Sequence, residues 1–302
     1  MIITKKSALK ALMKKGSIIE IKSPAKLNLS LEVMGRLENG YHDICSIMQS
    51  VSLYDDITIK PHSELFVTCS VQSITGHNNL VYEVASKLQK LYSVSLGANI
   101  HIEKNIPLSS GLGGGSSNAA TVLHGLNELW ALDLSQEELK DIGSGFGSDI
   151  PFFFKYGTAY SYGSGTQIRQ LPNLKEHTFL LIDPKCSIIN KTASMYAKVK
   201  PENYTSGGLT RKLEARLRGG GDIPSELMYN VFDKINSSEL SEVNECLRIL
   251  STVGIREVHT AGSGPYLFTV VKNKEIARAY QILLQQTYSV NSIVAESISI
   301  SK

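Results

Sequence analysis

The sequence contains no uninterrupted apolar run of about 18 residues, which is the length that a membrane-spanning helix needs. Its 302 residues are 42% hydrophobic and 20% charged, as is typical of a soluble globular protein. Lysines interrupt the apolar residues near the N-terminus, so this segment also lacks the apolar core of a secretory signal. We therefore expect no membrane partner and a cytoplasmic, bacterial-type protein in which residues 1–16 form a basic extension.

A strong net charge is also missing. The 31 Lys and Arg residues face 28 Asp and Glu residues, which leaves a formal charge of +3 at pH 7. A nucleic-acid partner would require Lys and Arg concentrated on one face, so we expect no such partner. The mild positive balance suits an anionic substrate but indicates one only weakly.

Cysteines are few and widely separated. Cys45, Cys69, Cys186 and Cys246 form no CxxC pair and have no metal-ligand spacing. This pattern predicts small apolar core residues in a reducing compartment rather than disulfides or a zinc site. Internal repeats and long low-complexity tracts are absent as well.

What the sequence does have is a glycine- and serine-rich stretch, PLSSGLGGGSSNAA, at residues 107–120. Glycine allows positive φ and a close approach of the backbone to a ligand, and a following helix offers unpaired N–H groups at its start. Such a helix start favours a bound phosphate. A strand pattern precedes the stretch and an amphipathic helix follows it, which favours a phosphate site over a flexible linker.

The stretch differs from two familiar phosphate motifs. A P-loop would place a lysine directly after the last glycine, where this chain has Ser116 and Ser117. A dinucleotide-binding loop would open a βαβ unit in a parallel sheet, whereas the strands before this loop look antiparallel. Backbone amides and serine hydroxyls then remain to hold the phosphates, and a cation from elsewhere must balance their charge.

Hydrophobic periodicity predicts an α+β fold with two domains. Residues 17–37 alternate as one strand bent at Pro24 or as two strands, and a helix with Asn78 or Asn79 as its N-cap follows a β-rich segment. Ser135 and Glu138 predict a capping box at the start of a short helix.

After residue 165 a new set of elements begins, which places the predicted boundary between domains 1–165 and 166–302. Strands are predicted at HTFLLIDP, REVHTAGSGPYLFTVV and SIVAESISI, and helices at ELSEVNECLRILSTVG and KEIARAYQILLQQ. The glycine-rich segment 207–223 looks loop-like and mobile around a short helix, and whether it closes over a substrate is left open.

Two charged residues are candidates for chemistry. Asp149 stands between a glycine-rich turn and an apolar run in GFGSDIPFFF, and Lys26 stands in the strand-like SPAKLNLSL. Taken alone, Asp149 is equally well explained as a turn or cap residue, and Lys26 is better explained as a surface lysine on an edge strand. Together they would supply the carboxylate and the cation that transfer of a phosphoryl group to a hydroxyl requires.

Three segments resemble the three motifs of the galactokinase, homoserine kinase, mevalonate kinase and phosphomevalonate kinase superfamily. They are PAKLNLSLEV, PLSSGLGGGSSNAA and HTAGSGPYLF, in that order. Within the superfamily, GYHDICSIMQSVSLYDDITI is similar to the kinases of cytidyl-diphosphate methylerythritol in the non-mevalonate isoprenoid pathway. The similarity covers nearly the whole chain from about Ile18 onward.

The resemblance implies a ribosomal-protein-like ATP-binding domain followed by a ferredoxin-like substrate-side domain. It also implies ATP as co-substrate, Mg²⁺, and the small molecule cytidyl-diphosphate methylerythritol as acceptor. The metal ligands are left open, and so is the choice between a monomer and a weak dimer. The alternatives are another kinase of the superfamily, of the homoserine or mevalonate type, and a nucleotide-binding protein without catalysis.

The same resemblance assigns roles to individual residues. Asp149 would take or orient the proton of the 2-hydroxyl, and Lys26 would be its charge partner. Asn28 would contact the erythritol part, Tyr41 would stack on the cytosine, and His42 would hydrogen-bond its edge. Further residues would take part in binding: Tyr196 as a second aromatic on the cytosine, and Asn79, Leu80, Lys104, Pro107, Leu108, Ser109, Ser110, Gly111, Leu112, Gly113, Gly114, Gly115, Ser116 and Ser117 on ATP.

The chain departs from the superfamily pattern at a few positions. Ser30 replaces an aromatic or larger apolar residue, Ser109 and Ser110 replace residues that are often glycine, and Ala261 replaces a common hydroxyl residue in the third motif. None of these positions is Lys26 or Asp149, so we still expect activity. The contribution of the third motif, Gly262 to Gly264, is left open.

Overall fold

The computed structural model describes residues 18–186 and 191–299. Within these ranges the chain forms two compact units, each built from separate stretches of sequence. The first unit contains 18–24, 53–106 and 114–154, and the second contains 25–52, 107–113 and the described residues from 155 onward. The domain boundary predicted at residue 165 stays a prediction, and the predicted basic extension at 1–16 lies outside the described residues.

The first strand, β1 (Ile19–Arg36), runs through Pro24 without interruption and pairs with β2 (His42–His62). Of the two alternatives that the sequence left open, a single strand is therefore the correct one. All residues of β1 from Ser23 to Val33 are buried. A strand covered on both faces keeps polar side chains only where they find partners, and β1 keeps several.

In the first unit the later part of β2 pairs antiparallel with β4 (Gly97–Glu103), and β4 pairs parallel with β3 (Leu65–Cys69). Parallel neighbours need a crossover connection, and the helix α1 (Leu80–Leu91) supplies it. The prediction of antiparallel strands before the glycine-rich stretch is thus wrong for β3 and β4. Alternation of apolar residues fixes the buried face of a strand but not its direction.

Two helices of the first unit begin where the sequence predicted, and a third begins earlier. Asn79 is the N-cap of α1, its side chain accepting the N–H of Val81 at 2.9 Å. The helix α2 (Gly114–Leu129) begins inside the glycine-rich stretch, and the helix α3 (Gln136–Ser144) begins with the predicted capping box of Ser135 and Glu138. A buried 3-10 helix, Ile150–Phe154, follows α3.

Two sheet regions belong to the second unit. The early part of β2 pairs antiparallel with β5, and β5 with β6. A separate four-stranded sheet has the order β10–β7–β9–β8, with all its pairs antiparallel. The bounds are Thr158–Gly163 for β5, Gln167–Gln170 for β6, Thr178–Ile182 for β7, His259–Thr260 for β8, Leu267–Val271 for β9 and Ser292–Glu296 for β10.

Helices of the second unit cover the four-stranded sheet and the first motif. They are α4 (Lys191–Tyr196), α5 (Gly208–Arg218), α6 (Phe232–Glu239), α7 (Ser241–Thr252) and α8 (Lys274–Tyr288). Apolar side chains of β7, β9, α7 and α8 form one core cluster that includes Leu180, Ile182, Val243, Leu250, Leu267, Ala277 and Leu284. The predicted strands and helices of this region are confirmed, and α5 occupies most of the segment 207–223 that looked loop-like.

The predicted α+β class is confirmed, with layers of helices on mainly antiparallel sheets. Along the part of the chain that is described, every helix is too short or too polar to cross a membrane. Three of the cysteines, Cys45, Cys69 and Cys246, are buried as the small core residues that the sequence predicted.

Candidate active site

One face of β1 carries a buried row of polar side chains. Lys26, Asn28, Ser30 and Glu32 alternate with apolar residues and are between 0% and 5% exposed. Because side chains at i and i+2 point to the same face of a strand, these four share one side. The alternative of a surface lysine at position 26 is therefore wrong.

A chain of hydrogen bonds connects this row to β2. Lys26 Nζ donates to Asn28 Oδ1 at 2.6 Å, and Asn28 Nδ2 donates to the hydroxyl of Ser46 at 2.7 Å. The Ser46 hydroxyl in turn donates to the carbonyl of Ser30 at 2.6 Å, and the Ser30 hydroxyl accepts the N–H of Ile47 at 3.2 Å. The backbone carbonyl of Ser30 thus holds Ser46 beside Asn28, while the Ser30 hydroxyl, at a position that departs from the superfamily pattern, bonds the backbone of β2.

Glu32 ends the polar row. Its Oε2 accepts a hydrogen bond from the backbone N–H of Thr210, in the first turn of α5, at 2.7 Å. The same oxygen accepts a hydrogen bond from the thiol of Cys45 at 4.0 Å. A carboxylate at a helix start is favourable because it meets unpaired N–H groups and the positive end of the helix dipole. Burial raises the pKa of the Cys45 thiol, which keeps it protonated and able to donate.

Within the second unit the first motif meets the beginning of the glycine-rich stretch and the third motif. The N–H of Lys26 donates to the carbonyl of Leu112 at 2.9 Å. A Cβ at Gly111, where φ is +90°, would overlap the carbonyl oxygen of Ala261. A Cβ at Gly262, where φ is +56°, would lie 3.1 Å from Lys26 Nζ and 2.8 Å from the carbonyl oxygen of Gly111. The three backbones approach so closely that only glycine fits at these two positions.

The stretch itself is held by its own serine. The hydroxyl of Ser110 donates to the carbonyl of Pro107 at 2.7 Å and accepts the N–H of Leu112 at 3.3 Å. Its carbonyl accepts the N–H of Tyr266, which lies in the third-motif segment HTAGSGPYLF, at 3.3 Å. Ser109 has a positive φ of +52° and Leu108 is 45% exposed. A serine at position 110 is thus compatible with a tightly folded loop.

The start of α2 lies in the first unit. Ser117 is fully buried and its hydroxyl oxygen accepts a hydrogen bond from Ser23 at 2.7 Å, whereas Ser116 is half-buried. A Cβ at Gly147 would lie 3.7 Å from Ser116 Oγ. The turn that leads into Asp149 therefore runs beside the first turn of α2. Asp149 is half-buried and directly precedes the buried 3-10 helix.

A buried ion pair stands next to this helix start. The ammonium of Lys104 pairs with Asp55, and their side chains are 4% and 0% exposed. Asp55 also accepts the N–H groups of Asn105 and Ile106, each at 2.8 Å. A Cβ at Gly114, the first residue of α2, would lie 3.0 Å from Lys104 Nζ. The resemblance predicts Lys104 as an ATP contact but does not reveal its pairing with Asp55, because the two residues are far apart in the chain.

The two remaining residues predicted to contact ATP in the first unit are at the start of α1. Asn79 is 7% exposed and uses its side chain in two bonds, accepting from Val81 and donating to the carbonyl of Ile74 at 2.8 Å. Leu80 is half-buried. The local interpretation of Asn79 as a cap is confirmed, and its contact with adenine stays a prediction.

The residues predicted to hold a cytosine lie in the second unit. His42 is 9% exposed, and its ring centroid is 5.2 Å from that of Tyr196, which in turn meets Phe232 edge-on at 4.9 Å. Among the described residues, His42 Nε2 is buried with no hydrogen-bond partner. Burial, and to a lesser degree the charge of Arg36, lowers the pKa of His42, so the ring is neutral at pH 7. Tyr41 is 64% exposed.

The structure brings the predicted residues together in separate groups within each unit. Lys26, Asn28 and the first glycines of the loop form one group, and His42 and Tyr196 form another, both in the second unit. In the first unit, Ser116 lies beside the turn of Asp149, and Lys104 beside Gly114. The pairing of Asp149 with Lys26 stays a prediction.

No group of three or more His, Cys, Asp and Glu residues that could hold a metal ion occurs in the described part of the chain. Mg²⁺ commonly keeps several waters and takes only one or two carboxylates beside the phosphates of a substrate. The described residues are therefore compatible with an ion whose ligands are mainly phosphate oxygens and waters.

Comparisons with known proteins agree on one family. Residues 79–157 match the model of the GHMP kinases N terminal domain. A 4-diphosphocytidyl-2-C-methyl-D-erythritol kinase of Dehalococcoides mccartyi is 35% identical over 281 residues, covering 91% of this chain and 99% of the relative. The enzyme of the same name from Clostridioides difficile is 35% identical over 283 residues, covering 91% of this chain and 95% of the relative.

Solved structures give the same result for the fold. The crystal structure of a 4-(cytidine 5'-diphospho)-2C-methyl-D-erythritol kinase superposes with a TM-score of 0.78 at 26% identity, covering 93% of this chain and all of the other. A homoserine kinase from Cytophaga hutchinsonii superposes with a TM-score of 0.71 at 14% identity, covering 93% of this chain and 94% of the other. The second similarity shows a shared fold alone.

Proposed function

The chain belongs to the family of 4-diphosphocytidyl-2-C-methyl-D-erythritol kinases, and we propose that it transfers the γ-phosphoryl group of ATP to the 2-hydroxyl of 4-diphosphocytidyl-2-C-methyl-D-erythritol. As a GHMP-type enzyme it is an ATP-dependent small-molecule kinase. We place the reaction in the non-mevalonate isoprenoid pathway of a bacterial-type cytoplasm.

The observation that carries the proposal is the buried ammonium of Lys26 at the meeting point of the three motifs. Lys26 Nζ is bound by Asn28 Oδ1 and bordered by the backbone of Gly262, and Gly111 lies against the same turn. A cation in such a water-poor, preorganised place stabilises developing negative charge far better than one in solvent. This is the charge partner that the glycine-rich stretch lacks in its own sequence.

In the proposed step the 2-hydroxyl oxygen attacks the γ-phosphorus, the bond from that phosphorus to the β,γ-bridging oxygen breaks, and ADP leaves. Asp149 takes or orients the hydroxyl proton. Lys26 stabilises the charge on the transferring group, and the backbone amides of the loop with the Ser116 and Ser117 hydroxyls hold the phosphates. A loose transition state asks the protein mainly for such positioning and charge.

Mg²⁺, when bound together with ATP, would neutralise part of the charge on the phosphates. No ligand from this chain is assigned to the ion.

Selectivity for a cytidyl group is supported by His42 and its neighbours. A buried ring nitrogen without a partner is costly, and a ligand that supplies the missing bond recovers that cost. Because the pKa of His42 is lowered, the neutral ring can offer either a donor or an acceptor to the edge of the pyrimidine. Tyr41 and Tyr196 supply the faces on which the base stacks, and Asn28 contacts the erythritol part.

The test is a comparison of acceptors. Purified protein with Mg²⁺ and ATP is given the cytidyl-diphosphate methylerythritol, homoserine or mevalonate, and ADP release is followed. We expect rapid turnover with the first acceptor and turnover near the ATPase background with the other two. Equal kcat/KM for homoserine or mevalonate would refute the proposed substrate while leaving a kinase of the superfamily.

A further inference from the structure

The third motif is held in place by one buried amide side chain. Asn230 lies just before α6 and is 2% exposed. Its Nδ2 donates to the carbonyl of Thr260 at 2.8 Å and to the carbonyl of Gly262 at 2.7 Å. Both amide protons are therefore used, one on each side of Ala261.

The rest of Asn230 is fixed to β1. Its Oδ1 accepts the N–H of Phe232 at 3.0 Å, and its neighbours pair with Leu31 on the strand. The N–H of Leu31 donates to the carbonyl of Tyr229 at 2.6 Å, and the N–H of Val231 donates to the carbonyl of Leu31 at 3.0 Å. Asn230 thus ties the third motif to β1, the strand that carries Lys26 and Asn28.

The position of Gly262 matters for the ammonium. A Cβ at Gly262 would lie 3.1 Å from Lys26 Nζ and 3.5 Å from Asn28 Oδ1, so the backbone of the turn borders this pair directly. A displacement of the turn would therefore change the space beside the ammonium. Asp233 gives the turn a second support, since its Oδ1 accepts the N–H of Thr260 at 2.7 Å.

We propose that Asn230 is a positioning residue for phosphoryl transfer: it holds the backbone of Thr260–Gly262 against Lys26 and Asn28, and thereby fixes the ammonium that stabilises the transferring group. The inference rests on the proposed role of Lys26. In this proposal the third motif acts through the backbone carbonyls of Thr260 and Gly262. Its function therefore does not require a side-chain hydroxyl at position 261, where this chain has alanine.

Asn230→Asp tests the proposal with almost no change of shape. The carboxylate replaces the two N–H donors by an oxygen that repels both carbonyls, so the turn moves away. We expect kcat to fall by about ten- to hundredfold, as the loss of two good hydrogen bonds implies. KM for ATP and for the cytidyl substrate should change less than about threefold, because neither ligand is held by Asn230. Asn230→Ser, which keeps one hydroxyl donor, replaces the aspartate variant if that variant does not fold. Its kcat should lie between the wild-type value and the value expected for Asn230→Asp.

Asn236→Asp is the matched control. Asn236 is also fully buried and lies near the same turn, but its Nδ2 reaches Thr260 Oγ1 and the carbonyl of Ser263 only at 3.4 Å. Burying a carboxylate there should cost stability without moving Gly262, so the kcat of folded protein should stay within about threefold of wild type. Equal losses of kcat in both variants would reduce Asn230 to a general packing role and overturn the proposal.

The pH profile adds a readout that packing would not give. A buried carboxylate facing two carbonyls has a raised pKa, and its protonated form regains one O–H donor. The ratio of Asn230→Asp to wild-type kcat should therefore rise as pH falls. A ratio that is flat or falls at low pH would contradict the proposed hydrogen bonds.

A measurement without turnover separates this inference from the proposed function. In protein labelled with ¹⁵N-lysine, the Nζ signal of Lys26, assigned from Lys26→Arg, should shift in Asn230→Asp and stay in place in Asn236→Asp. If wild type does not phosphorylate the cytidyl substrate, the proposed function fails while the NMR result still decides the inference. An unmoved Lys26 signal in Asn230→Asp would overturn it.

Discussion

At the scale of single residues, apolar and polar side chains alternate along β1, so that the two kinds lie on opposite faces of the strand. Ala25, Leu27 and Leu29 fill one side of the strand, while Lys26 and Asn28 are buried on the other. An ammonium taken out of water is costly unless it is paired and hydrogen-bonded. The partners of Lys26 are therefore part of the site, and they hold its position before any ligand arrives.

Replacing the proposed base should remove turnover and leave nucleotide binding intact. In Asp149→Asn the side chain keeps its shape but cannot accept a proton, so we expect kcat to fall by about three orders of magnitude with little change in the Kd of ATP. Stopped-flow turnover and calorimetric titration with an ATP analogue measure the two quantities. Asp141→Asn, on the exposed side of α3, is the control, and normal turnover in Asp149→Asn would remove Asp149 from the mechanism.

Adding one methyl group at the meeting point of the motifs should be enough to impair catalysis. In Gly262→Ala the new Cβ would meet the carbonyl oxygen of Gly111 at 2.8 Å and Lys26 Nζ at 3.1 Å, at a backbone φ of +56° that disfavours alanine. We expect kcat to fall by at least about tenfold.

Gly220→Ala is the control for the backbone strain alone, since φ there is +74° and a Cβ would meet nothing within 4 Å. It should lose less stability than Gly262→Ala, which adds close contacts to the same backbone strain, and it should keep wild-type kcat. If both variants keep their kcat, close contact at Gly262 is not required for activity.

His42, which we propose to lie in the cytidyl site, should make stability depend on pH. Because burial and Arg36 lower the pKa of His42 in the folded state, its contribution to stability is fully present above the ordinary pKa of 6.5 and is lost as pH falls below that value. In His42→Gln the loss of Tm between pH 7.5 and 5.5 should be smaller than in wild type. An identical loss would show that His42 does not carry this part of the acid sensitivity.

Residues differ in how far the sequence could reveal them. Lys26, Asn28 and the loop glycines stand in recognisable motifs, and Asn79 and Ser135 are caps whose partners lie two or three residues away. Asp55 and Asn230 could not be found in this way. Asp55 pairs with a lysine 49 positions later, and Asn230 binds carbonyls 30 and 32 positions later, so only the fold brings their partners to them.

At the scale of elements, the starts of the helices do most to define the site. Glu32 meets the first turn of α5, and Lys104 stands beside the first residue of α2. The crossover helix α1 lets β3 and β4 run parallel and delivers β4 to the glycine-rich stretch. Helices were predictable because their caps and periodicity are local signals, whereas the parallel pairing was not, since strand direction depends on the connection.

The ion pair at the start of α2 should hold β2 and the segment after β4 together. Asp55→Asn leaves the ammonium of Lys104 buried without its counter-charge, so we expect the free energy of unfolding to fall by about 3–5 kcal/mol in urea titrations. The matched control is Asp56→Asn, because Asp56 pairs with Lys22 in an exposed bridge and should contribute far less. Equal losses in the two variants would contradict a special role for the buried pair.

At the scale of the whole molecule, the α+β class and the family followed from the sequence, and the contacts between motifs did not. The motifs at Lys26, Gly111 and Gly262 lie far apart in the sequence. In the second unit their backbones nevertheless approach one another closely. A resemblance to a family identifies the residues of each motif, but it does not show which atoms of one motif contact which atoms of another. The buried position of Lys26 and the carbonyl contacts of Asn230 came from the structure alone.

The identity of the product tests the central claim most directly. Purified protein is incubated with Mg²⁺, ATP and 4-diphosphocytidyl-2-C-methyl-D-erythritol, and the product is examined by ³¹P and ¹³C NMR. We predict one new phosphate monoester coupled to carbon 2 of the erythritol and one ADP for each product molecule. A phosphate at another hydroxyl, or ADP formed without any phosphorylated acceptor, would contradict the account.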